Sequence, residues 1–592
     1  MSASMPKTIE TITTARPKYI FLTAKSGAGK TYFANQLKDY KVLELDKVVH
    51  MTGLQFAIAG RNAFAMYKNR LSESVMTAFV ANIHSFLERN ATTPIVVEGA
   101  ISDASLVRRI FSGPYAVFTF VYLYPTDEEV YAERLMKRLI VSMAIATAFT
   151  EPGLTGERPF KEDSCGLEKQ SSGFIDLPNR VDTHYFYWYF ESRNKPSTDP
   201  LVLWIPGGPG EGGTYGLLAE NGPCTVNDNL STSTNPYSWT TVANMVWVDL
   251  PANSGFSYST VAEDDEFTDE RVAESVFWFL QRFFKKHREL QGRKLFLVGE
   301  SYGGHFVPSV AHYIWKKQHN HLFDKADPDL IPINLHGIAI GNGLTDSVEI
   351  YSHTVDMAVN NAYNITLVNE TQLAALTAAA PKCRDLMTKC QTNTSICQEA
   401  GSFWQTKQYS PLLETGLSPY DIRKECETAV SDSVACQLKM PKIKAYLDSP
   451  QVREFLGVDP SFGEWAMLNY TINANFFGAP HYSGFISVAN KVSDLLDAGL
   501  RVLLYVGDAD LLCNIYAIKA TAEKLKWSGS EGFNATKERL YLTASGIANA
   551  GTVRSYSRLT YVAVHNAGHM VPGDQPELAL DMTSKFIRNE TF

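Results

Sequence analysis

Residue types that combine in nucleophilic catalysis occur in the second half of this chain, each just beyond an apolar run. Gly299-Glu-Ser-Tyr-Gly303 matches G-x-S-x-G, follows Lys294-Leu-Phe-Leu-Val298 and precedes a helical pattern, Phe306 to Lys317. A nucleophile elbow needs this context, because the sharp strand-to-helix turn holds its serine strained and exposed. A serine also needs a base to take its proton and an acid to fix the imidazole tautomer. Candidate acids, Asp508 and Asp510, follow Arg501-Val-Leu-Leu-Tyr-Val506. Candidate bases, His565 and His569, follow Thr560-Tyr-Val-Ala-Val564. Attack on a carbonyl further requires donors for the oxyanion. The amide after the nucleophile, Tyr302, and the glycine-rich turn Pro206-Gly-Gly-Pro-Gly210 can supply them, the latter through Gly208 N–H.

A second segment suggests phosphate chemistry. Ala24-Lys-Ser-Gly-Ala-Gly-Lys-Thr31 matches G-x-x-x-x-G-K-[ST] except that Ala24 replaces the first glycine. Gly27, Ala28 and Gly29 would let backbone amides wrap a phosphate, Lys30 would reach the β/γ-phosphates and the Thr31 hydroxyl would ligate Mg²⁺. A glycine-rich turn without a ligand is the alternative. The motif lies between a strand-like run, Tyr19–Thr23, and a helical stretch, Tyr32 to Asp39. Further strands are expected at Val42–Leu45 and Pro94–Val97, the βαβ pattern of a parallel sheet. Residues from about 15 to 135 resemble a small P-loop kinase of the nucleoside or nucleotide kinase type, though the segment is short for one. The resemblance implies ATP with Mg²⁺ as ligand, Asp46 near the substrate, and Arg134 and Arg138 as lid arginines.

The elements that must position these residues divide near residue 150. A chain of 592 residues is too long for one core. Beyond the division, Pro200–Ile205, Met245–Val248, Lys294–Val298, Arg501–Val506 and Thr560–Val564 read as strands, and open α/β sheets place their sites at the carboxyl ends of strands. Cysteines begin only at Cys165; the others are Cys224, Cys383, Cys390, Cys397, Cys426, Cys436 and Cys513. Among Asn-x-Ser/Thr sequons only Asn90 precedes residue 150, whereas Asn229, Asn364, Asn369, Asn393, Asn469, Asn534 and Asn589 follow it. Both distributions assign the large part to an oxidising, glycosylating compartment: the secretory pathway, then a lysosome, a vacuole or the exterior. Cytoplasmic residence follows instead if the N-terminal part dictates targeting. Met136–Phe149 has a basic start, an apolar stretch and small residues, the form of a signal peptide, so functional protein is expected to start at or near Met136; the rival reading is the last helix of a kinase. A net charge of −9 argues against a nucleic-acid surface, and no apolar run is long enough to span a membrane.

The order Ser301, aspartate, histidine is that of α/β hydrolases. Residues 165–592 closely resemble the serine carboxypeptidase family, acid-active peptidases that remove C-terminal residues. The matching segments are Trp204–Gly210, Glu220-Asn-Gly-Pro223, Asn235–Trp239, Gly255–Ser259, Gly299–His305, Ile340–Asp346, Gly507–Asn514 and His569-Met-Val-Pro572 with Asp574-Gln-Pro576. The resemblance selects Asp510 and His569 as acid and base. It implies that Glu220 and Glu300 form a buried acid pair receiving the substrate's terminal carboxylate, with Gly207 and Trp204 beside them. Met570, Leu512 and the unpaired Cys513 would line the substrate pocket. Like charges in such a pair hold protons and raise pKa values, so binding weakens as pH rises.

Departures from the family stand in one loop. Pro206 occupies the place of a polar residue, often Asn, and offers no donor; Glu211-Gly-Gly213 replaces Cys-Ser-Ser. The partner cysteine's place before Asn469-Tyr-Thr-Ile-Asn473 is taken by Leu468, and Leu250 replaces a usual Gln. The expected fold class is α/β: an α/β-hydrolase domain over 165–592 with a disulfide-bearing cap at about 344–440, a linker over 136–164, and a smaller P-loop domain over 1–135. The cysteines seven apart in the cap lack the paired spacing of a zinc site, so no metal is expected there. The expected activity is a serine-type carboxypeptidase acting on peptides through an acyl-enzyme without a cofactor. The alternatives are an acyltransferase or non-peptide hydrolase on the same fold, and a phosphotransferase with a secondary hydrolase domain.

Overall fold

The computed structural model describes strands 19–24, 41–44, 95–98 and 119–123, then residues 165–319, 330–426, 436 and 439–592. Two compact units divide the chain, Met1–Gly153 and Leu154–Phe592. In the first, strands β1 (Tyr19–Ala24), β2 (Lys41–Glu44), β3 (Ile95–Glu98) and β4 (Thr119–Leu123) form a parallel sheet in the order β2-β3-β1-β4. The motif residues Gly27, Gly29, Lys30 and Thr31, together with Asp46, Arg134, Arg138 and the 136–164 segment, lie outside the described residues.

The second unit opens with β5 (Gln170–Asp176), β6 (Thr183–Phe190) and β7 (Leu201–Ile205), followed by a short hairpin of β8 (Cys224–Val226) and β9 (Thr232–Thr234). Next come β10 (Asn244–Val248), β11 (Tyr258–Ser259), β12 (Leu295–Glu300) and β13 (Leu335–Gly341). A second hairpin, β14 (Leu417–Ser418) and β15 (Asp421–Glu425), precedes β16 (Arg501–Gly507), β17 (Arg539–Leu540), β18 (Gly551–Tyr556) and β19 (Leu559–Val564). The main sheet runs β11-β6-β10-β7-β12-β13-β16-β19-β18-β17, with β5 beside β6. From β10 to β19 every pairing is parallel, so six strands end on one edge. Their apolar runs are continuous because helices cover both faces.

Side chains alternate between two cores across this sheet. Leu203, Ile205, Leu297, Ile340 and Leu504 face one core, with the helices Asp269–Lys286 and Gly303–His319. Val202, Trp204, Val298, Leu503 and Tyr505 face the other, with the helix Pro576–Arg588. Helix Asp269–Lys286 begins where Thr268 accepts the Arg271 amide, carries Asp269 and Glu270 in its first turn, and ends on Lys285 and Lys286. Side-chain cap and end charges both match the helix dipole. This is an α/β-hydrolase-type fold.

Between β13 and β16 lies the helical excursion that includes Glu370–Cys390 and Cys397–Trp404, tied by a Cys390–Cys397 disulfide. Cys426–Cys436 closes the segment after β15, and Cys383 and Cys513 are free and buried. Tyr420, at the tip of the β14–β15 hairpin, accepts the His569 amide at 2.7 Å; the Pro419 carbonyl accepts the Leu511 amide at 3.1 Å. The excursion thus reaches the site through main-chain bonds. Cys165–Cys224 spans 59 residues and anchors the chain four positions beyond Glu220. Closing a loop of that length restricts the unfolded chain. Replacing both cysteines by serine is expected to cost about 2–4 kcal/mol, read as a lower urea midpoint.

Candidate active site

Ser301 stands between β12 and the helix Gly303–His319 with φ of 58°. A non-glycine residue holds that conformation only where its surroundings impose it. The two glycines of the motif explain how. A Cβ on Gly299 would lie 2.6 Å from the Ile205 carbonyl oxygen, and one on Gly303 3.1 Å from the same atom. A side chain at 299 would therefore collide with the end of β7, and one at 303 would press against it. The loop after β7 then crosses over the nucleophile: a Cβ on Gly207 would stand 2.7 Å from Ser301 Cβ and 3.2 Å from its Oγ. Gly208, with φ of 99°, and Tyr302 have amides that enter no hydrogen bond among the described residues.

Of the competing acids and bases, Asp510 and His569 pair. His569 Nδ1 donates to Asp510 Oδ2 at 2.6 Å. Asp510 is fully buried and also accepts from Asn342 Nδ2 at 2.8 Å and from the amides of Leu512 and Cys513 at 2.9 and 3.3 Å. A carboxylate can only accept, so the imidazole proton sits on Nδ1 and Nε2 keeps its lone pair. Nε2 is buried without a hydrogen-bond partner. Asp508 instead accepts from the Tyr363 hydroxyl, and His565 bonds Asn549. The loops carrying the pair are joined by Ala509 N–H donating to the Ala567 carbonyl at 2.9 Å.

Asn342, quoted above only within a matching segment, is a bracket. It ties Asp510 to β16 by accepting the Gly507 amide at 3.2 Å while donating to the carboxylate. Its φ of 42° is the local signal of a constrained position. Tyr420 had no signal in the sequence, because only the cap's path brings it beside the His569 ring, 5.1 Å between centroids.

Glu300 ends β12 and Glu220 lies on the wide helical turn Leu217–Asn221. The two carboxyls lie within hydrogen-bonding reach of each other, and a bond between them requires that one of the pair hold a proton. Burial dominates both: Glu220 is pushed up to about 7 and Glu300 well above the carboxylate range. Each keeps its Oε2 buried and unpartnered. Trp204, 2 % exposed, lies with its indole against Gly216 and 5.6 Å from the ring of Trp239. Leu512 and Met570 are partly exposed beside Asp510 and His569 in the chain. Burial and the nearby Asp510 keep the Cys513 thiol protonated, its sulfur within 4.8 Å of the Asp510 and His569 ligand atoms.

Glu211 and Leu468, the places of the missing cysteine pair, face one another across an isolated antiparallel bridge. The bridge holds the two segments together without a disulfide, and Glu211 brings a third carboxyl to this region. Burial, then Glu220, pushes the Glu211 pKa up to about 8. Asp249 is pushed up to about 6 by burial, despite accepting the Thr214 and Phe256 amides.

These raised values make stability depend on pH. Each group binds its proton more tightly in the folded than in the unfolded chain, so stability falls as pH rises from about 4.5, the unfolded carboxylate range, through the folded values of about 6 to 8. The melting temperature is expected to decline between pH 5 and pH 8, and to decline less in Glu220→Gln. A rising or flat profile contradicts these assignments.

The serine carboxypeptidase family model (Peptidase_S10) matches residues 159–589. Carboxypeptidase Y of Candida albicans is 35% identical over 424 residues, covering 71% of this chain and 74% of that protein. Carboxypeptidase Y of Komagataella phaffii is 34% identical over 424 residues, covering 71% and 76%. Among solved structures, Kex1(delta)P, a prohormone-processing carboxypeptidase from Saccharomyces cerevisiae, superposes with a TM-score of 0.61 at 24% identity, covering 71% of this chain and 92% of that one. The last likeness speaks for the fold alone. The chain belongs to the serine carboxypeptidase family and is a serine-type carboxypeptidase, a hydrolase.

Proposed function

We propose that this carboxypeptidase works through an acyl-enzyme formed on Ser301. Ser301 Oγ adds to the carbonyl carbon of the last peptide bond as its proton passes to His569 Nε2. The Gly208 and Tyr302 amides receive the oxyanion. The C–N bond then breaks as Nε2 returns that proton to the departing amine. Water attacks the ester by the same route in reverse order and regenerates Ser301. Asp510 holds the tautomer and the imidazolium charge. The observation that carries this reading is the 2.6 Å Asp510–His569 bond, which leaves a buried, unpartnered Nε2.

Glu220 and Glu300 receive the terminal carboxylate, with Gly207 and Trp204 completing the seat and Leu512, Cys513 and Met570 lining the pocket for the leaving residue. A carboxyl must be protonated to donate to a carboxylate, so affinity falls as pH rises through the Glu220 value of about 7. The three disulfides support maturation in an oxidising compartment.

For the first unit, the strand order favours nucleotide binding. Chain connections leave β1 toward β2 on one side, while β4 lies on the other, so β1 ends at a topological switch point. Open parallel sheets bind ligands there, and the Lys30–Thr31 motif begins at its last residue, Ala24. ATP with Mg²⁺ is the ligand that motif would take.

Ser301→Ala and His569→Ala are each expected to lower kcat by about 10⁴-fold or more, with an unchanged circular dichroism spectrum. Substantial turnover of a blocked dipeptide by Ser301→Ala would remove it as nucleophile. For the first unit, the full chain is expected to bind ATP with Mg²⁺ in titration calorimetry and to lose that binding in Lys30→Ala; no heat from wild type overturns the reading.

A further inference from the structure

Asp508 and His565 take no part in the catalytic pair, yet both line one cavity. It has a volume of about 500 Å³ and lies between the helix Ile515–Lys524 and the strands β18 and β19. Ser301, Asp510 and His569 do not line it, so it is separate from the catalytic cleft. Small-ligand sites in proteins have volumes of this order.

Strand register builds its inner wall. In the β18–β19 pair, Thr552 stands opposite Ala563 and Arg554 opposite Tyr561. Opposed residues of an antiparallel pair share a face, and Thr552, Tyr561 and Ala563 all line the cavity. Arg554 stands on the same face behind the lining, with its guanidinium 5.4 Å from the Phe533 ring centroid. It donates to Glu523 Oε1 and Glu538 Oε1, each at 2.9 Å, and Lys519 holds Glu538 at 2.7 Å. Beside this engaged network lies a hydroxyl with no partner. Tyr561 is 1% exposed, and its Oη forms no hydrogen bond among the described residues. Such an orphaned buried group costs free energy and is rare in folded proteins. Burial, then Glu538, raises its pKa, so it remains a neutral hydroxyl able to accept a hydrogen bond.

The balance of charges and donors decides what could fill the cavity. Four carboxylates line it: Asp356, Asp508, Glu523 and Glu538. Its cations are engaged, Lys519 by Glu538 and His353 by Asp356 and Glu349. Glu523 Oε2 and Asp356 Oδ1 accept no hydrogen bond among the described residues. The open positions are therefore acceptors, and a ligand that occupies them must donate and carry positive charge. Met357, Ile515, Ala520 and Ala563 add apolar wall.

We propose that this cavity is a second binding site, for an organic cation whose primary ammonium group is received by the Tyr561 hydroxyl and the Glu523 carboxylate while its hydrocarbon body lies along Met357, Ile515 and Ala520. An ammonium group offers three hydrogens and no lone pair, which suits a wall of acceptors. An anion of the same shape meets carboxylates instead.

The test uses the full-chain enzyme with hexylamine and hexan-1-ol, which match in length and differ in charge. Ligand-observed NMR titration is expected to show hexylamine binding and the alcohol binding at least about ten-fold more weakly. Tyr561→Phe and Glu523→Gln are each expected to lower hexylamine affinity about ten-fold, with turnover of a blocked dipeptide unchanged. Without ligand, Tyr561→Phe is expected to melt no lower than wild type, because the hydroxyl it removes has no partner in the fold. A fall of several degrees would reveal an internal partner and overturn the proposal. Crystals soaked in hexylamine are expected to hold it against Tyr561. Water alone at that place, equal binding of the alcohol, or unchanged affinity in Tyr561→Phe also overturns it.

Discussion

One buried carboxylate organises the working edge of this enzyme. Asp510 is removed from water entirely, and an unpaired charge there would cost several kcal/mol. It is tolerated because four donors converge on it: an imidazole, a side-chain amide and two backbone amides. They come from the ends of β13 and β16 and the loop after β19. Each of those loops is braced in turn, by the β14–β15 hairpin through Tyr420 and Pro419, and by Asn342 through Gly507. The parallel sheet supplies the common edge, since strands running one way must end together.

The same burial that orients His569 makes the neighbouring carboxyls reluctant to ionise. Glu220, Glu300, Glu211 and Asp249 all carry raised values, and desolvation is the first cause for each. Stability therefore responds to these protons, and under the proposed reading the terminal carboxylate of a substrate would be held through the same ones.

Much of this architecture could be read before any coordinates. The five runs expected as strands beyond residue 150 all lie in the parallel stretch of the main sheet, within one or two residues of their observed ends, and β13 is the one strand of that stretch not among them. They were legible because a strand buried on both faces is an unbroken apolar run. The antiparallel flank was not: β6, Thr183–Phe190, mixes aromatics with a histidine, and β5 and β18 carry polar residues on an exposed side. Spacing left Asp508 equal to Asp510 and His565 equal to His569, since both members of each pair follow the same strand. Only the resemblance separated them, and the structure shows the physical difference in their partners. Glu211 was visible as a departure, but its closeness to Glu220 and His569 depends on the loop's path and had no local signature.

The dispersal of the site along the chain has a consequence for biosynthesis. Asn342 and Asp510 lie 168 residues apart, and Asp510 and His569 another 59. Neither pair can form until β13, β16 and β19 lie side by side and the cap hairpin reaches the His569 amide. A partly folded chain therefore holds no oriented histidine and cannot digest its neighbours.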